Sequence, residues 1–437
     1  MHDDTTLLLG LDGVVVDRVE LGPDGCRVVH LSTADAAAVC PSCGTVSTSP
    51  KGWLQTRPRD LAWPTRSRLV WRKRRWRCRV AGCARGSFTE SVPQLPARAR
   101  VTARLKAAAG RAVALGGRTI AQAGRDHGLS WPVVAAAFER EASALLPDEP
   151  EPVTDLGIDE TRRGRPRFAS DPDTGKTTLQ ADRWHTGLVD LSGGQGLLGQ
   201  VEGRAAADVG AWLAARDPAW RAGITVVAID MCPAYRAAVR EHLPNATLVV
   251  DHFHVVQLAN RTVNLVRRGA TTALRGRRVR AADPEYGIRR RLLRNREDLT
   301  DAQLADMWNR LIDLGPAGEQ ILTAWIAKED LRTLLALART QPTRHDISRR
   351  LYDFYRWCAD SDIPELHTLA GTVETWWPQI EAFIHTGVTN AGSEGVNRLI
   401  KLEARNAYGF RNTTNQRLRS RCATRRKTWR QEQPTQL

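Results

Sequence analysis

The sequence predicts a multidomain α/β protein, on three observations. Two close cysteine pairs fall in a strand-like, Trp-rich N-terminal stretch, and helical periodicity follows it. Beyond an acidic, proline-broken linker, apolar runs that each end in an aspartate alternate with helical patterns. A long, almost wholly helical stretch then separates those runs from one more amphipathic helix. The expected divisions are 1–97, 98–146, a linker at 147–152, 153–259, 260–386, 387–416, and a basic tail at 417–437 expected to fray.

Composition limits the function before any motif is read. The 437 residues are 42% hydrophobic and 26% charged, which suits globular domains with sizeable cores. A formal net charge of +16 favours a polyanionic partner, because each neutralised phosphate releases condensed counterions. GC-rich coding also inflates arginine, yet it does not make cations outnumber anions. Asp3-Asp4 is acidic where a signal peptide is basic, and no apolar run is long enough to span a bilayer. The expectation is a cytoplasmic, nucleoid-associated protein with double-stranded DNA as partner and no membrane attachment. Disulfides are rare in that compartment, so paired cysteines there point to metal.

Within 1–97, Cys40-Pro-Ser-Cys43 and Cys78-Arg-Val-Ala-Gly-Cys83 are two such pairs. Their spacing places four thiolates around one structural Zn²⁺, which holds a small strand-rich module together. The alternative is a set of unligated buried thiols. Cys26, Cys232, Cys358 and Cys422 lack such spacing and read as packing residues. Between the pairs, residues 71–77 interleave Arg72, Arg74 and Arg75 with tryptophan, as a phosphate-binding strand would.

Residues 98–146 read as a helix-turn-helix region. Residues 119–127 form its first helix, Gly128-Leu129 its turn, and Ser130 caps the second. The second helix would enter the major groove by its N-terminal end, putting Ser130 and Trp131 against DNA. A glycine turn between short helices is common alone; the neighbouring cysteine module and the basic charge give it weight.

After the linker Asp148-Glu149-Pro150-Glu151-Pro152, three apolar runs end in aspartate. They are Leu156-Gly157-Ile158-Asp159, Val226-Val227-Ala228-Ile229-Asp230 and Thr247-Leu248-Val249-Val250-Asp251. Such runs suit buried strands, and acids at the carboxyl ends of adjacent strands can share a metal. Residues 184–191 and 195–201 flank Ser192-Gly193-Gly194 as a hairpin, and 205–215 follows as a helix. The order strand, hairpin, helix, strand, helix, strand is that of an RNase H-like fold. Further on, Val396, Leu399, Ile400, Ala404 and Ala407 make an apolar stripe at helical spacing. Glu394, Arg398, Lys401 and Arg405 fall on another face. Packed on the sheet, that helix would bring Glu394 to Asp159 and Asp230. Three carboxylates suffice to hold two Mg²⁺ or Mn²⁺ ions, which stabilise the entering and leaving oxygens of a phosphodiester displacement. Each acid taken alone has a plainer reading, as a helix cap or as half of a surface Glu394–Arg398 ion pair.

The strings Gly157-Ile158-Asp159-Glu160, Ile229-Asp230-Met231-Cys232-Pro233-Ala234-Tyr235, Asp251-His252-Phe253-His254 and Thr389-Asn390-Ala391-Gly392-Ser393-Glu394-Gly395-Val396-Asn397 are similar to those of the ISL3-type insertion-sequence transposases of bacteria. The resemblance extends over almost the whole chain, the cysteine pattern included. It implies an RNase H-like catalytic domain interrupted by an all-helical insertion, with Asp159, Asp230 and Glu394 as its metal-binding triad. It implies binding to the element's terminal inverted repeats, metal-dependent cleavage and strand transfer, by a homodimer or larger assembly. Asp251 and His254 also resemble the Cys/Asp-x-x-His element that follows the same strand in Mutator-like transposases. That implies a secondary place in the active site; otherwise His254 packs on the next helix while Asp251 orients a neighbour.

The expected insertion, 260–386, carries amphipathic patterns at 303–314, 319–337, 346–358 and 365–384. Early in it, a dense run of arginines that includes Arg277 and Arg278 has few acidic partners in sequence. It therefore reads as phosphate contact along bound DNA. Trp376-Trp377 reads as core. Two rival functions fit parts of the chain. A non-enzymatic regulator needs only the cysteine module and helix-turn-helix, and an RNase H-like repair nuclease would cut without joining strands.

Overall fold

Alternating apolar and polar residues lay down the first sheet. The computed structural model describes residues 4–62, 67–181 and 183–432, in two units: 1–148 with 403–437, and 149–402. In the first unit, α1 (Asp4–Leu9) precedes β1 (Val14–Leu21), β2 (Arg27–Thr33), β3 (Ala38–Val39), β4 (Val46–Ser47), β5 (Pro50–Thr56), β6 (Ser67–Arg77) and β7 (Ser87–Thr89). The main sheet runs β1-β2-β6-β5 with β7 also on β6; β3 and β4 form a separate small hairpin. Leu69, Trp71 and Lys73 alternate inward from β6, and Leu31, Val92 and Leu95 pack beside Leu69 and Trp71.

Helices α2 (Ala103–Ala114), α3 (Ile120–Asp126) and α4 (Trp131–Leu145) complete that unit's N-terminal part. Thr119 begins α3 with a capping box through Gln122, and Gly128 takes a φ of +62° in the turn before α4. Their core of Leu105, Val113, Ile120, Val134 and Phe138 also contains Cys422, from near the C-terminus.

The second unit opens with β8 (Asp155–Arg162), the ribbon β9 (Arg167–Ser170) and β10 (Thr177–Ala181), then β11 (Trp184–Asp190) and β12 (Leu197–Glu202). Then come α5 (Ala206–Ala214), α6 (Pro218–Ala222), β13 (Val226–Ile229), α7 (Pro233–His242) and β14 (Thr247–Val250). The sheet order is β12-β11-β8-β13-β14, antiparallel from β12 to β8 and parallel from β8 to β14. Asp190 shapes the expected hairpin turn by accepting the N–H groups of Ser192, Gly193 and Gln195.

Helices follow: α8 (His252–Arg275), α9 (Pro284–Ile288), α10 (Asp301–Ile312), α11 (Pro316–Leu335), α12 (Arg344–Ala359), α13 (Pro364–Thr375), α14 (Trp377–Thr386), α15 (Ala391–Asn406) and α16 (Thr413–Glu432). No helix among the described residues is long and apolar enough to cross a membrane.

The structure corrects several expectations. Helices α8 to α14 have no core of their own. Leu156 and Val227 of the sheet, Val263 of α8, Leu331 of α11 and Ile380 of α14 share one hydrophobic core. The helix expected over 365–384 breaks at Trp376, just before Pro378, which has no N–H to continue it. The arginine run is not short of acids: Arg277 pairs with Asp283, Arg275 with Glu285 and Arg291 with Asp306. The tail expected to fray is α16, anchored by Cys422 and by buried Arg419, whose guanidinium donates to Glu403 at 2.7 Å. Its last residues, 433–437, lie outside the described ones. Leu399 lies off the apolar stripe of α15 and is partly exposed, while Val396 and Ile400 pack on β11 and β12.

Candidate active site

Strand register brings Asp159 and Asp230 together. Ile229, the last residue of β13, pairs with Ile158 of β8, so the next residue of each parallel strand is an aspartate. Asp159 does not end its strand, as the apolar run suggested. β8 continues to Arg162 because β11 pairs it on the other side, Gly187 opposite Asp159. Carboxylate oxygens of Asp159, Glu160 and Asp230 lie within 4.8 Å of one another. The apolar-run pattern does not place Glu160 there; its carboxylate also accepts from the Tyr235 hydroxyl at 2.8 Å.

Helix α15 is seated directly on β8. Asn397 Nδ2 donates to Asp159 Oδ2 at 2.6 Å, Thr161 Oγ1 donates to Asn397 Oδ1, and Asn390 Nδ2 donates to the Ile158 carbonyl at 3.1 Å. The approach requires Gly157, where a Cβ would stand 2.2 Å from Ser393 Oγ and 2.7 Å from Asn390 Oδ1. Sequence reasoning misses Asn390, Ser393 and Asn397. They form a polar stripe at helical spacing with Glu394, and that stripe is the signal the sequence carries for them.

Glu394 falls in a second cluster, with Asp251 and His254, again within 4.8 Å. Asp251 caps α8 by accepting the Phe253 N–H at 3.1 Å, which fixes the start of the helix that carries His254. His254 joins the clusters, its Nε2 lying 2.9 Å from Asp230 Oδ1. Arg398 reaches Glu394 only at 3.8 Å and is otherwise solvated.

The electrostatics follow from this crowding. Burial, reinforced by the charge of Asp230, pushes the Asp159 carboxyl up to about 7. Burial opposes charge on His254, but the Asp230 carboxylate outweighs it and raises the imidazole above its usual value. Burial likewise opposes ionisation of Asp251, yet bonds to His252 and the Phe253 N–H hold it below the usual range. Asp230 Oδ1 is buried and receives no well-aligned hydrogen bond. Carboxylate oxygens gathered this closely suit a hard divalent cation.

In the first unit, Cys40, Cys43, Cys78 and Cys83 converge. Two of their Sγ–Sγ separations are 3.9 Å and 3.6 Å. Tetrahedral thiolates at the usual Zn–S distance stand about 3.8 Å apart. Groups of Thr45 draw the Cys43 thiol down to about 6, while Cys78, favoured as thiolate by the Val80 N–H but opposed by burial and by Cys43, is pushed up to about 12.

The family model described as a transposase, of the ISL3 family, matches residues 156–420. The chain belongs to the ISL3 transposase family. Further models match residues 36–83 as the zinc-finger of such transposases and residues 90–142 as their helix-turn-helix domain. The transposase for insertion sequence element IS1001 from Bordetella parapertussis is 29% identical over 408 residues, 92% of this chain and 93% of the relative. The transposase for IS1557 from Mycobacterium tuberculosis is 28% identical over 282 residues, 58% of this chain and 60% of the relative. The Drosophila P element transposase strand transfer complex has a TM-score of 0.38 at 10% identity, covering 73% of this chain and 92% of that one. A likeness so remote bears no argument.

In this transposase the zinc-ribbon match and the four converging cysteines support a structural zinc. Cys26, Cys358 and Cys422 are buried and Cys232 half-buried, in keeping with packing roles. The residues expected to meet DNA differ in availability. Ser130 and Trp131 stand exposed at the start of α4, and Arg72, Arg75, Arg278, Arg398, Lys401 and Arg405 are exposed. Arg74 is not free, because buried Glu90 holds its Nε at 2.9 Å and carbonyls of Thr33 and Asp35 take its far nitrogen. Trp71 and Trp76 are buried core rather than surface platforms, and Arg277 is committed to Asp283.

Proposed function

We propose that this transposase cuts DNA at the terminal inverted repeats of an insertion sequence and joins the exposed 3′-hydroxyl to target DNA at one active site. The observation that carries the proposal is the approach of His254 to Asp230, which links the Asp159–Asp230 cluster to that of Glu394. The sheet order and its mixture of antiparallel and parallel pairing support an RNase H-like catalytic domain, interrupted after β14 by helices and resumed by α15.

Asp159, Asp230 and Glu394 would hold two Mg²⁺ or Mn²⁺ ions, for which clustered carboxylate oxygens are fitting donors. Metal bound there supplies stabilisation of the entering and leaving oxygens during in-line displacement. The chain's own residues prepare the site. Asn397 and the Glu160 N–H orient Asp159, and Asp251 sets the helix that presents His254. His254 stands between the acids with Nε2 against Asp230, where an imidazole N–H can orient that carboxylate.

The zinc ribbon and helix-turn-helix bind the repeats, α4 entering the major groove through Ser130 and Trp131. Pairing of two ends implies a homodimer or larger assembly. The test is Mg²⁺-dependent cleavage and joining of a duplex from DNA flanking the reading frame, by wild type and by Asp159→Ala/Asp230→Ala/Glu394→Ala. Loss of both steps with duplex binding retained supports the reading. Equal cutting by the variant overturns it, and cutting without joining indicates a repair nuclease.

A further inference from the structure

A basic cleft in the first unit has no role in the site above. Two Arg-x-Arg strings distant in sequence, Arg57-Pro58-Arg59 and Arg98-Ala99-Arg100, are brought side by side. The Arg59 N–H donates to the Arg100 carbonyl at 2.9 Å and the Thr102 N–H to the Arg59 carbonyl at 3.0 Å. With Thr56 and Lys73 they line a cleft of about 450 Å³ that holds no carboxylate. Lys73, only 4% exposed, forms its floor and is held by the Ala97 carbonyl.

The buried neighbouring acids are already spent. Asp60 is buried against Arg104 and Thr102, and Glu90 accepts from Arg74, Trp76 and Thr33. Arg57, Arg98 and Arg100 are exposed and make no side-chain hydrogen bond or ion pair among the described residues. Five cations gathered without a counter-charge repel one another, a cost that an anion in the cleft removes. Free inorganic phosphate and the DNA backbone share that chemistry, and position favours the backbone. Arg59 donates to the carbonyl of Gly128, the turn residue just before Ser130 and Trp131 of α4. The cleft therefore borders the turn of the helix-turn-helix, where a duplex read by the start of α4 presents its phosphates.

We propose that this cleft is a clamp for the DNA backbone, with Arg57, Arg98 and Arg100 seating consecutive phosphates and Arg59 tying the clamp to the helix-turn-helix. The inference rests on the DNA-binding reading above. It is tested on the full-length chain with a fluorescein-labelled duplex, by measuring Kd as KCl is raised, and separately by titrating inorganic phosphate. Arg98→Ala/Arg100→Ala should shallow the slope of log Kd against log[KCl] by about 2, close to one unit for each phosphate no longer neutralised. Arg98→Lys/Arg100→Lys should restore most of the slope, and Arg18→Ala, elsewhere on the same unit, should leave it unchanged. An unchanged slope in Arg98→Ala/Arg100→Ala would overturn the clamp alone. Saturable phosphate binding with that unchanged slope would assign the cleft to a small anion. A wild-type chain without affinity for duplex DNA would overturn the DNA-binding reading and the clamp with it.

Discussion

Asn397 Nδ2 lies 2.6 Å from Asp159 Oδ2, joining a residue of α15 to one on β8 far from it in sequence. Asp159 is half-buried, and Asn397 and the Glu160 N–H are the donors that orient it. Asn397→Leu should therefore lower Mn²⁺ affinity or cleavage by about 10–100-fold, the usual effect of losing a residue that orients a metal ligand. Asn397→Asp should be worse than Asn397→Leu, since it adds a carboxylate against a carboxylate. Isothermal titration with Mn²⁺ separates lost affinity from lost turnover.

Gly157 admits α15 to the sheet, and any side chain there meets Ser393 and Asn390. Gly157→Ala should cost about 1–3 kcal/mol by overpacking. Adding Ser393→Gly should return part of it, because the nearest obstruction is the Ser393 hydroxyl. Urea unfolding of the single and double variants measures this coupling.

A pH dependence follows from Asp159. Its folded carboxyl is pushed up to about 7 from an ordinary value of 3.8, chiefly by burial and then by Asp230. The folded chain thus binds that proton more tightly than the unfolded chain. Its stabilisation is full below the ordinary value and is lost as pH rises through about 7. Metal-free protein should lose stability over that window, and Asp159→Asn should flatten the loss. Metal uptake displaces the same proton, so Mn²⁺ affinity should weaken as pH falls below about 7. Thermal melts of metal-free protein and Mn²⁺ titrations across pH check both signs.

Much of this is legible in the sequence, for physical reasons that differ by residue. Asp159 and Asp230 are readable because buried parallel strands are continuous apolar runs and their acids stand out. The cysteine pairs are readable because ligand spacing is local. Glu394 needs the family strings, since an acid on an amphipathic helix looks like any solvated one. Asn390, Ser393 and Asn397 escape because their polar stripe with Glu394 does not say what α15 touches. The fates of Arg74 and Arg277 are hidden likewise, set by Glu90 and Asp283 across turns of the chain. α16 reads as a basic tail because its apolar anchors, Leu418, Cys422 and Trp429, are sparse among arginines and are joined by a buried Glu403–Arg419 pair.

Stripping zinc from the four cysteines should unfold the ribbon and spare the catalytic unit, because they share no core residues. Cys43→Ser should abolish duplex binding while the catalytic unit keeps its fold, as judged by Mn²⁺ binding. Atomic absorption should give one zinc per wild-type chain.

The two acidic clusters, joined by His254 and Asp230, should form one site for a pair of divalent ions. Electron paramagnetic resonance of a Mn²⁺ titration tests it most directly. Wild type should show a spin-coupled pair at two ions per chain, and Glu394→Gln should show a single uncoupled ion. No coupled signal in wild type, or the same coupled signal in Glu394→Gln, would contradict the account.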